Sequence, residues 1–585
     1  MSEKILNIKI NGVPVAVPEG TSILDAAKKV NIQIPSLCYH PDLPAWSACG
    51  ICVVKLENSP KMVRACSTAV TEGMSVITHD PELISVRKTI IELTLSSHPN
   101  DCLQCPRNQN CELQTLAADF GIREMPFQYN VPKYPQDDST TSLILNPSKC
   151  IKCGRCVHVC QDMQNVWALE FLGRGDITRI AAAGDVPLVD SPCIKCGQCS
   201  AHCPVGAIYE KDETGKVWDA LQNPDIHCVV QIAPAVRVAL GEAFGLEPGE
   251  IVTGKAYAAL RRLGFNAVFD TNFGADLTIM EEGSELIERL KNKPDELPLI
   301  TSCCPAWVDY LEKYYPDLIP HFSTAKSPQA MVGALSKTYY AQKMGLDPKK
   351  IVMVSIMPCT AKKWEIVRSE SMYSSGVQDI DISITTRELS RMIKSSGIGF
   401  LELSDEQADD PLGIYTGAGT IFGATGGVME AALRTAYAVL SGSELKDVNL
   451  QDVRGMEGVK EASLTIAGKD IKVAVAHQMG NVQKVMDMLR EAREKKTPMP
   501  YQFIEVMACR GGCIGGGGQP YGATDEIRKK RLAGMYQDDT KSTIRCSHNN
   551  PAIKKLYEEF LEKPLSHKSH ELLHTHYTPR PLYQK

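Results

Sequence analysis

Two runs in the chain repeat one spacing of thiols. CIKCGRCVHVC and CIKCGQCSAHC both read C-x2-C-x2-C-x3-C, giving Cys150, Cys153, Cys156 and Cys160, then Cys193, Cys196, Cys199 and Cys203. This is the bacterial ferredoxin run, in which the fourth cysteine of each run ligates the other [4Fe–4S] cluster. Cys203 is therefore expected to complete the first cluster and Cys160 the second. A pair of such clusters does one kind of chemistry: it passes single electrons.

Two further groups precede this pair. Cys38, Cys49, Cys52 and Cys66 contain a C-x2-C, but ten residues separate the first two, unlike the plant-type C-x4-C-x2-C run. Ahead of them Leu6, Ile8 and Ile10 alternate up to Asn11-Gly12, and Val13, Val15 and Val17 alternate after it. That is the signal of a hairpin with a type I′ turn. TSILDAAKKV then offers Thr21 or Ser22 as a helix cap, with Asp25 in the first turn. A hairpin, a helix and four cysteines point to a small β-grasp [2Fe–2S] domain, similar to the one that opens complex I large subunits and some hydrogenases. The next group, His98, Cys102, Cys105 and Cys111 in HPNDCLQCPRNQNC, resembles the His/Cys3 [4Fe–4S] module that follows in the same two families. At both sites a structural zinc ion is the alternative chemistry.

The thiols after residue 300 are arranged differently. Cys303-Cys304, Cys359 and the glycine-lined pair Cys509 and Cys513 are scattered in sequence. The elements that must position them can be read from the surrounding pattern. From about residue 225, short apolar runs such as CVVQIAP, NAVFDTNFG, LPLITSCCP, IVMVSIMPC and DIKVAVAHQMGN lead into helix-like stretches. This alternation predicts α/β architecture with largely parallel sheets, where ligands gather beyond the carboxyl ends of strands. Cys303-Cys304, Cys359 and Cys509 fall at such ends, so one more cluster, on Cys304, Cys359, Cys509 and Cys513 from three separate loops, is expected.

The motifs TSCCPAW (301–307), MPCTAKKWE (357–365) and EVMACRGGCIGGGGQP (505–520) closely resemble the three signatures of [FeFe]-hydrogenases, and STAKSPQ (323–329) and GATGGVMEAALR (423–434) fit as well. One departure is Ala306, where glycine is usual. The resemblance spans essentially the whole chain, and the layout is most like the catalytic subunit of NADP-reducing, multi-subunit hydrogenases. It implies a multidomain α+β and α/β protein. The expected divisions are a β-grasp [2Fe–2S] domain (1–79), a His/Cys3 [4Fe–4S] domain (80–138), a 2[4Fe–4S] ferredoxin domain (139–212), a two-lobed α/β catalytic domain (213–530) and a C-terminal wrapping segment (531–585).

The resemblance also implies a reaction and a site. The reaction is the reversible oxidation of H2 to protons and electrons at an H-cluster. This cofactor is a [4Fe–4S] cubane on Cys304, Cys359, Cys509 and Cys513, bridged through Cys513 to a diiron subsite with CO, cyanide and an azadithiolate. Three accessory [4Fe–4S] clusters and one [2Fe–2S] cluster would serve it. Lys362 would face a cyanide ligand, with Met357, Met507, Gln329 and Pro234 lining the pocket, and the glycines would let backbone approach the metal centre. Protons would travel by Cys303, Glu282, Ser323, Glu285 and Arg289; Glu282, Glu285 and Arg289 lie at helical spacing. The implied partners are flavin/NAD(P)-binding and [2Fe–2S] subunits of a hetero-oligomer, a ferredoxin, and maturation proteins for the diiron subsite.

Composition is consistent with this reading. A formal net charge of −6 and no basic stripe argue against nucleic acid. No apolar run approaches a membrane span, and MSEKILNIKING lacks an export signal, so a cytoplasmic location is expected. Twenty-two cysteines in such a protein favour metal over disulfides. GIGGGGQP lacks the strand, helix and acidic residue of a dinucleotide loop, so NAD(P) would bind another subunit. Cys228 and Cys546 are read as structural, and the histidines His567, His570, His574 and His576 as part of a wrapping tail rather than a metal site.

Overall fold

The computed structural model describes residues 4–127, 133–466 and 468–584. At the N-terminus, Ile5–Ile10 and Val13–Pro18 pair antiparallel, with Ile10 opposite Val13. Asn11 (φ 50°) and Gly12 (φ 82°) are both left-handed, as a type I′ turn requires. Leu6, Ile8 and Ile10 are buried and their neighbours are not, so the alternation sets which face packs. Ser75–Ile77 joins the hairpin edge parallel to its first strand, and Val53–Leu56 and Met62–Arg64 complete the five-stranded sheet. Ser22 caps the helix Ile23–Lys28 by accepting from Asp25 N. The helices Pro81–Ser96 and Glu112–Asp119 follow, the first capped by Asp80.

The duplicated cysteine runs fold alike. Each enters a short helix, Arg155–His158 or Gln198–His202, through a left-handed glycine: Gly154 (φ 80°) and Gly197 (φ 71°). The two equivalent positions dock on different neighbours. A Cβ on Gly154 would meet the Trp46 ring at 3.0 Å, whereas one on Gly197 would strike Thr360 and come within 3.2 Å of Gly517. One half of the repeat thus faces the N-terminal sheet domain and the other faces the C-terminal lobes.

Each C-terminal lobe is built on a four-stranded sheet. In the first, Ala267–Asp270, His227–Ile232, Ile351–Met357 and Ile382–Thr385 run parallel in that order. In the second, Leu299–Ile300, Phe503–Met507 and Lys469–His477 are parallel, and Val459–Ile466 closes the edge antiparallel. The helix Thr271–Asn292 serves both lobes: Phe273 and Leu277 enter the core of the first, Ala275, Ile279 and Leu286 that of the second. With apolar partners on both sides, this helix also buries its charged residues Glu281, Glu282, Glu285 and Arg289. Among the described residues no helix is long and apolar enough to cross a membrane.

Candidate active site and electron path

Three strands from the two sheets end at one cavity. Cys303 and Cys304 follow Leu299–Ile300, Cys359 follows Ile351–Met357, and Cys509 follows Phe503–Met507. The cavity is lined by Cys303, Cys304, Cys359, Cys509 and Cys513, together with Pro234, Gln329, Met357, Lys362 and Met507. Sequence reasoning named all ten, and the fold brings them together. Burial and the neighbouring Cys304 push the Cys359 thiol up to about 12. Burial likewise raises Cys304, Cys509 and Cys513. Converging thiols of this kind, Cys359 and Cys509 buried and Cys304 and Cys513 half-buried, suit a cationic metal cluster, which takes them as thiolates.

The glycines beside Cys513 also meet neighbouring protein atoms closely. A Cβ on Gly512 (φ 90°) would stand 2.7 Å from both Met507 Sδ and Thr425 N. One on Gly516 or Gly517 would strike the carbonyl of Pro358 or Cys196. Close packing of backbone on backbone, including the ferredoxin-like repeat, therefore demands these glycines, and only Gly512 and Gly516 of the run also line the cavity.

The ferredoxin-type cysteines form two apolar cavities. One is lined by Cys160, Cys193, Cys196 and Cys199, the other by Cys150, Cys153, Cys156 and Cys203. This is the crossed grouping that the spacing predicts. Nearer the N-terminus, Cys49 N donates to Cys38 Sγ (3.5 Å), and the Cys66 thiol is within bonding reach of Cys38 and Cys52. In the next module His98 is buried and its Nε2 has no partner among the described residues, as an unmet ligand nitrogen would. A Cβ on Gly206 would lie 2.5 Å from Cys105 Sγ, so glycine there keeps room beside that sulfur. Cys102 and Cys111 are half-buried.

Two glutamines join the inner ferredoxin-type site to the large cavity, and neither was foreseen. Gln198 Nε2 donates to Cys509 Sγ (3.3 Å) and to Gly515 O (2.9 Å). Gln164 Nε2 donates to Ala508 O (3.0 Å), while Met479 N donates to Gln164 Oε1 (3.0 Å). Thr360 Oγ1 donates to Lys195 O (2.7 Å) beside Cys359. On the outer side, Arg107 Nη1 donates to Cys203 O (3.0 Å).

A different wall carries the ionisable groups. Lys362 Nζ donates to Cys303 O (3.1 Å) and Glu365 Oε2 (2.8 Å). Burial opposes the Lys362 charge, but Glu365 outweighs it and holds the ammonium. Glu365 also accepts from Gln329 Nε2 (2.7 Å) and Ser327 Oγ (2.8 Å), an anchor that sequence reasoning missed. Burial raises the Cys303 thiol, and the nearby Glu282 charge adds to the rise. Burial pushes the Glu282 carboxyl up to about 8, with the Glu285 charge adding to it against a Ser323 hydrogen bond. Ser323 Oγ is 3.4 Å from Glu285 Oε2, and Arg289 Nη2 donates to Glu285 Oε1 (2.6 Å). Of the five expected relay residues, hydrogen bonds thus join Ser323, Glu285 and Arg289, whereas Glu282 acts on Cys303 through its charge and Glu282 Oε2 has no partner among the described residues.

Cysteine groups in series, ending at a thiol-lined cavity, are those of an iron–sulfur oxidoreductase that transfers electrons. Residues 226–517 match the C-terminal domain of the iron only hydrogenase large subunit, and residues 525–580 match the iron hydrogenase small subunit. Residues 3–81 match a 2Fe-2S iron-sulfur cluster binding domain, 87–126 the NADH-ubiquinone oxidoreductase-G iron-sulfur binding region, and 149–207 a 4Fe-4S dicluster domain. The chain is 49% identical to the NADP-reducing hydrogenase subunit HndD of Solidesulfovibrio fructosivorans, over 98% of this chain and 99% of the relative. It is 42% identical to iron hydrogenase 1 of Clostridium pasteurianum, over 97% and 99% respectively. An apo [FeFe]-hydrogenase HydA1 structure from Chlamydomonas reinhardtii aligns with a TM-score of 0.56 and 44% identity, over 63% of this chain and 100% of that one. The chain belongs to the iron-only, or [FeFe], hydrogenases. It catalyses the reversible oxidation of H2 and carries the electrons on iron–sulfur clusters, with [2Fe–2S], [4Fe–4S] and H-cluster cofactors.

Proposed function

We propose that Cys304, Cys359, Cys509 and Cys513 hold the cubane of the H-cluster, with Cys513 shared with the diiron subsite. When bound, that cofactor would supply the Lewis-acidic metal and the amine base that splitting H2 requires. Cys303 then carries the proton from the cavity to Glu282, and Ser323 hands it on to Glu285 beside Arg289. Lys362, fixed by Glu365, presents an ammonium to a ligand of the diiron subsite; Met357, Met507, Gln329 and Pro234 exclude water. The observation that carries this reading is the single cavity that Cys303 shares with four convergent thiols.

On the electron side, Cys160, Cys193, Cys196 and Cys199 hold the inner [4Fe–4S] cluster, and Cys150, Cys153, Cys156 and Cys203 the outer one. Cys38, Cys49, Cys52 and Cys66 hold the [2Fe–2S] cluster, and His98, Cys102, Cys105 and Cys111 a further [4Fe–4S] cluster. We place the module divisions at residues 79, 138, 212 and 530. The chain works in the cytoplasm within a hetero-oligomer, and a flavin-containing partner subunit reduces NAD(P). The HndD relative is named as an NADP-reducing hydrogenase subunit, which favours this acceptor. The test is H2-dependent reduction of viologen and of NADP+ by the matured chain, alone and with co-purified partners. Viologen reduction by the chain alone, with NADP+ reduction only in the complex, is expected. Direct NADP+ reduction by the isolated chain would overturn the assignment to a partner.

A further inference from the structure

The proposed relay ends on a group poorly suited to release a proton. A guanidinium stays protonated in proteins, so Arg289 can orient Glu285 but cannot itself accept its proton. The other oxygen of Glu285 leads elsewhere. Thr324 donates to Glu285 Oε2 through both its backbone N (3.0 Å) and its Oγ1 (3.1 Å). Thr324 Oγ1 lies 2.7 Å from His574 Nδ1, and His574 Nε2 lies 3.1 Å from Glu281 Oε2.

Backbone bonds on both sides fix this contact. Lys326 N donates to Leu573 O (2.8 Å) and Thr575 N donates to Thr324 O (2.8 Å), pinning the tail on either side of His574. Glu281 is fully buried and also accepts from Tyr557 Oη (2.6 Å) and Leu565 N (2.9 Å), so its carboxylate is held in place. The exposed ring of His570 packs on that of His574, with centroids 4.4 Å apart. The charged and titratable groups facing His574 are thus Glu281 and Glu285 from the long helix, Tyr557 behind Glu281, and His570 on the tail itself.

We propose that His574 is a second proton outlet from Glu285, parallel to direct release from the Glu285 oxygen that Arg289 orients towards water. The Glu285 carboxyl gives its proton to Thr324 Oγ as the hydroxyl passes its own to His574 Nδ1. The imidazolium formed holds its Nε2–H on the Glu281 carboxylate, and it is this Nε2 proton that leaves, to water reaching the pair past the exposed His570 ring, while the proton received stays on Nδ1. Imidazole suits this step because one ring nitrogen can accept a proton while the other donates. The same steps reversed supply protons for H2 formation. This inference rests on the relay through Glu285 proposed above.

The experiment uses the matured holoenzyme with H2-dependent viologen reduction followed from about pH 6 to 8. Thr324→Val, Thr324→Ser, His574→Gln, Arg289→Gln and the Arg289→Gln/His574→Gln pair are compared at equal iron content and with matching cofactor infrared bands. Parallel outlets predict that each single outlet variant loses about threefold, whereas the pair loses well beyond the product of the two, roughly thirtyfold or more. Thr324→Ser should retain the wild-type profile, and Thr324→Val, which keeps the side-chain volume, should match His574→Gln. A histidine ring band in the H2-minus-argon infrared difference spectrum should vanish in His574→Gln. A pair no slower than Arg289→Gln alone, or a Thr324→Val enzyme with a wild-type pH profile, would overturn the outlet. Glu285→Gln separates the two readings. If it leaves the rate intact the relay itself fails, whereas a large loss there with silent Thr324 and His574 variants removes only the branch.

Discussion

The wall of the cavity that faces the ferredoxin-type repeat and the wall that faces the tail are built from different materials. On the electron side, backbone packs on backbone: Gly197 and Gly517 touch, and Gln198 and Gln164 tie the repeat to Ala508 and Cys509. On the proposed proton side, side chains do the connecting: Ser323 and Arg289 each bond Glu285, with Glu282 buried in the same helix. The difference follows from what is carried. Electrons need short distances and fixed geometry but no mobile groups. Protons need donors and acceptors in unbroken contact, with pKa values near the working pH.

The largest effect is expected at a shared thiol. Cys513→Ala should abolish H2 oxidation and lower bound iron, while electron paramagnetic signals of the N-terminal clusters persist. Retained activity would contradict the cubane assignment. Next in size, Glu282→Gln should slow H2 oxidation by about 10²–10⁴-fold with all clusters still reducible by dithionite, and loss of cluster reduction would place Glu282 on the wrong side of the comparison. The same substitution tests the burial of that carboxyl. Its pKa rises from an ordinary 4.5 to about 8, so the folded chain keeps a proton that the unfolded chain releases. Stability from this group is therefore fully present below 4.5 and is lost as pH rises towards 8. Glu282→Gln should flatten that part of a denaturation series across pH.

Smaller effects belong to the electron side. Gln198→Leu removes a donor to the Cys509 sulfur, which should lower the cubane potential by some tens of millivolts, on the order expected for one hydrogen bond to a cluster ligand. Spectroelectrochemistry reads this directly, and an unchanged potential would deny Gln198 any influence on the site. Smallest should be Gly154→Ala, which strains a left-handed residue by about 1–2 kcal/mol and loosens the Trp46 contact. Thermal unfolding should shift with little change in H2 oxidation.

Legibility in the sequence divides along a similar line. The ferredoxin-type ligands are local in the chain, so spacing alone predicts their crossed grouping into two cavities. The Asn11-Gly12 turn is equally local. The large cavity was reachable because its thiols sit at strand ends, although its signatures had to be read together. Partners supplied across long separations were not legible. Glu365 meets Gln329, Gln198 meets Cys509, and His574 meets Thr324 only because two lobes and a returning tail close around one helix. The backbone that Gly516 and Gly517 accommodate, from Pro358 and Cys196, was not legible for the same reason. A charged helix pattern ordinarily marks a solvated face; here both faces of Thr271–Asn292 meet core.

The central claim is that electrons and protons leave one cavity by separate walls, with Cys303 at the head of the proton route. Its most direct test is H2-dependent viologen reduction by the matured chain carrying Cys303→Ala. The account predicts full iron content, normal cluster reduction by dithionite and a rate at least about 10²-fold lower. A rate close to that of the unaltered chain would contradict it.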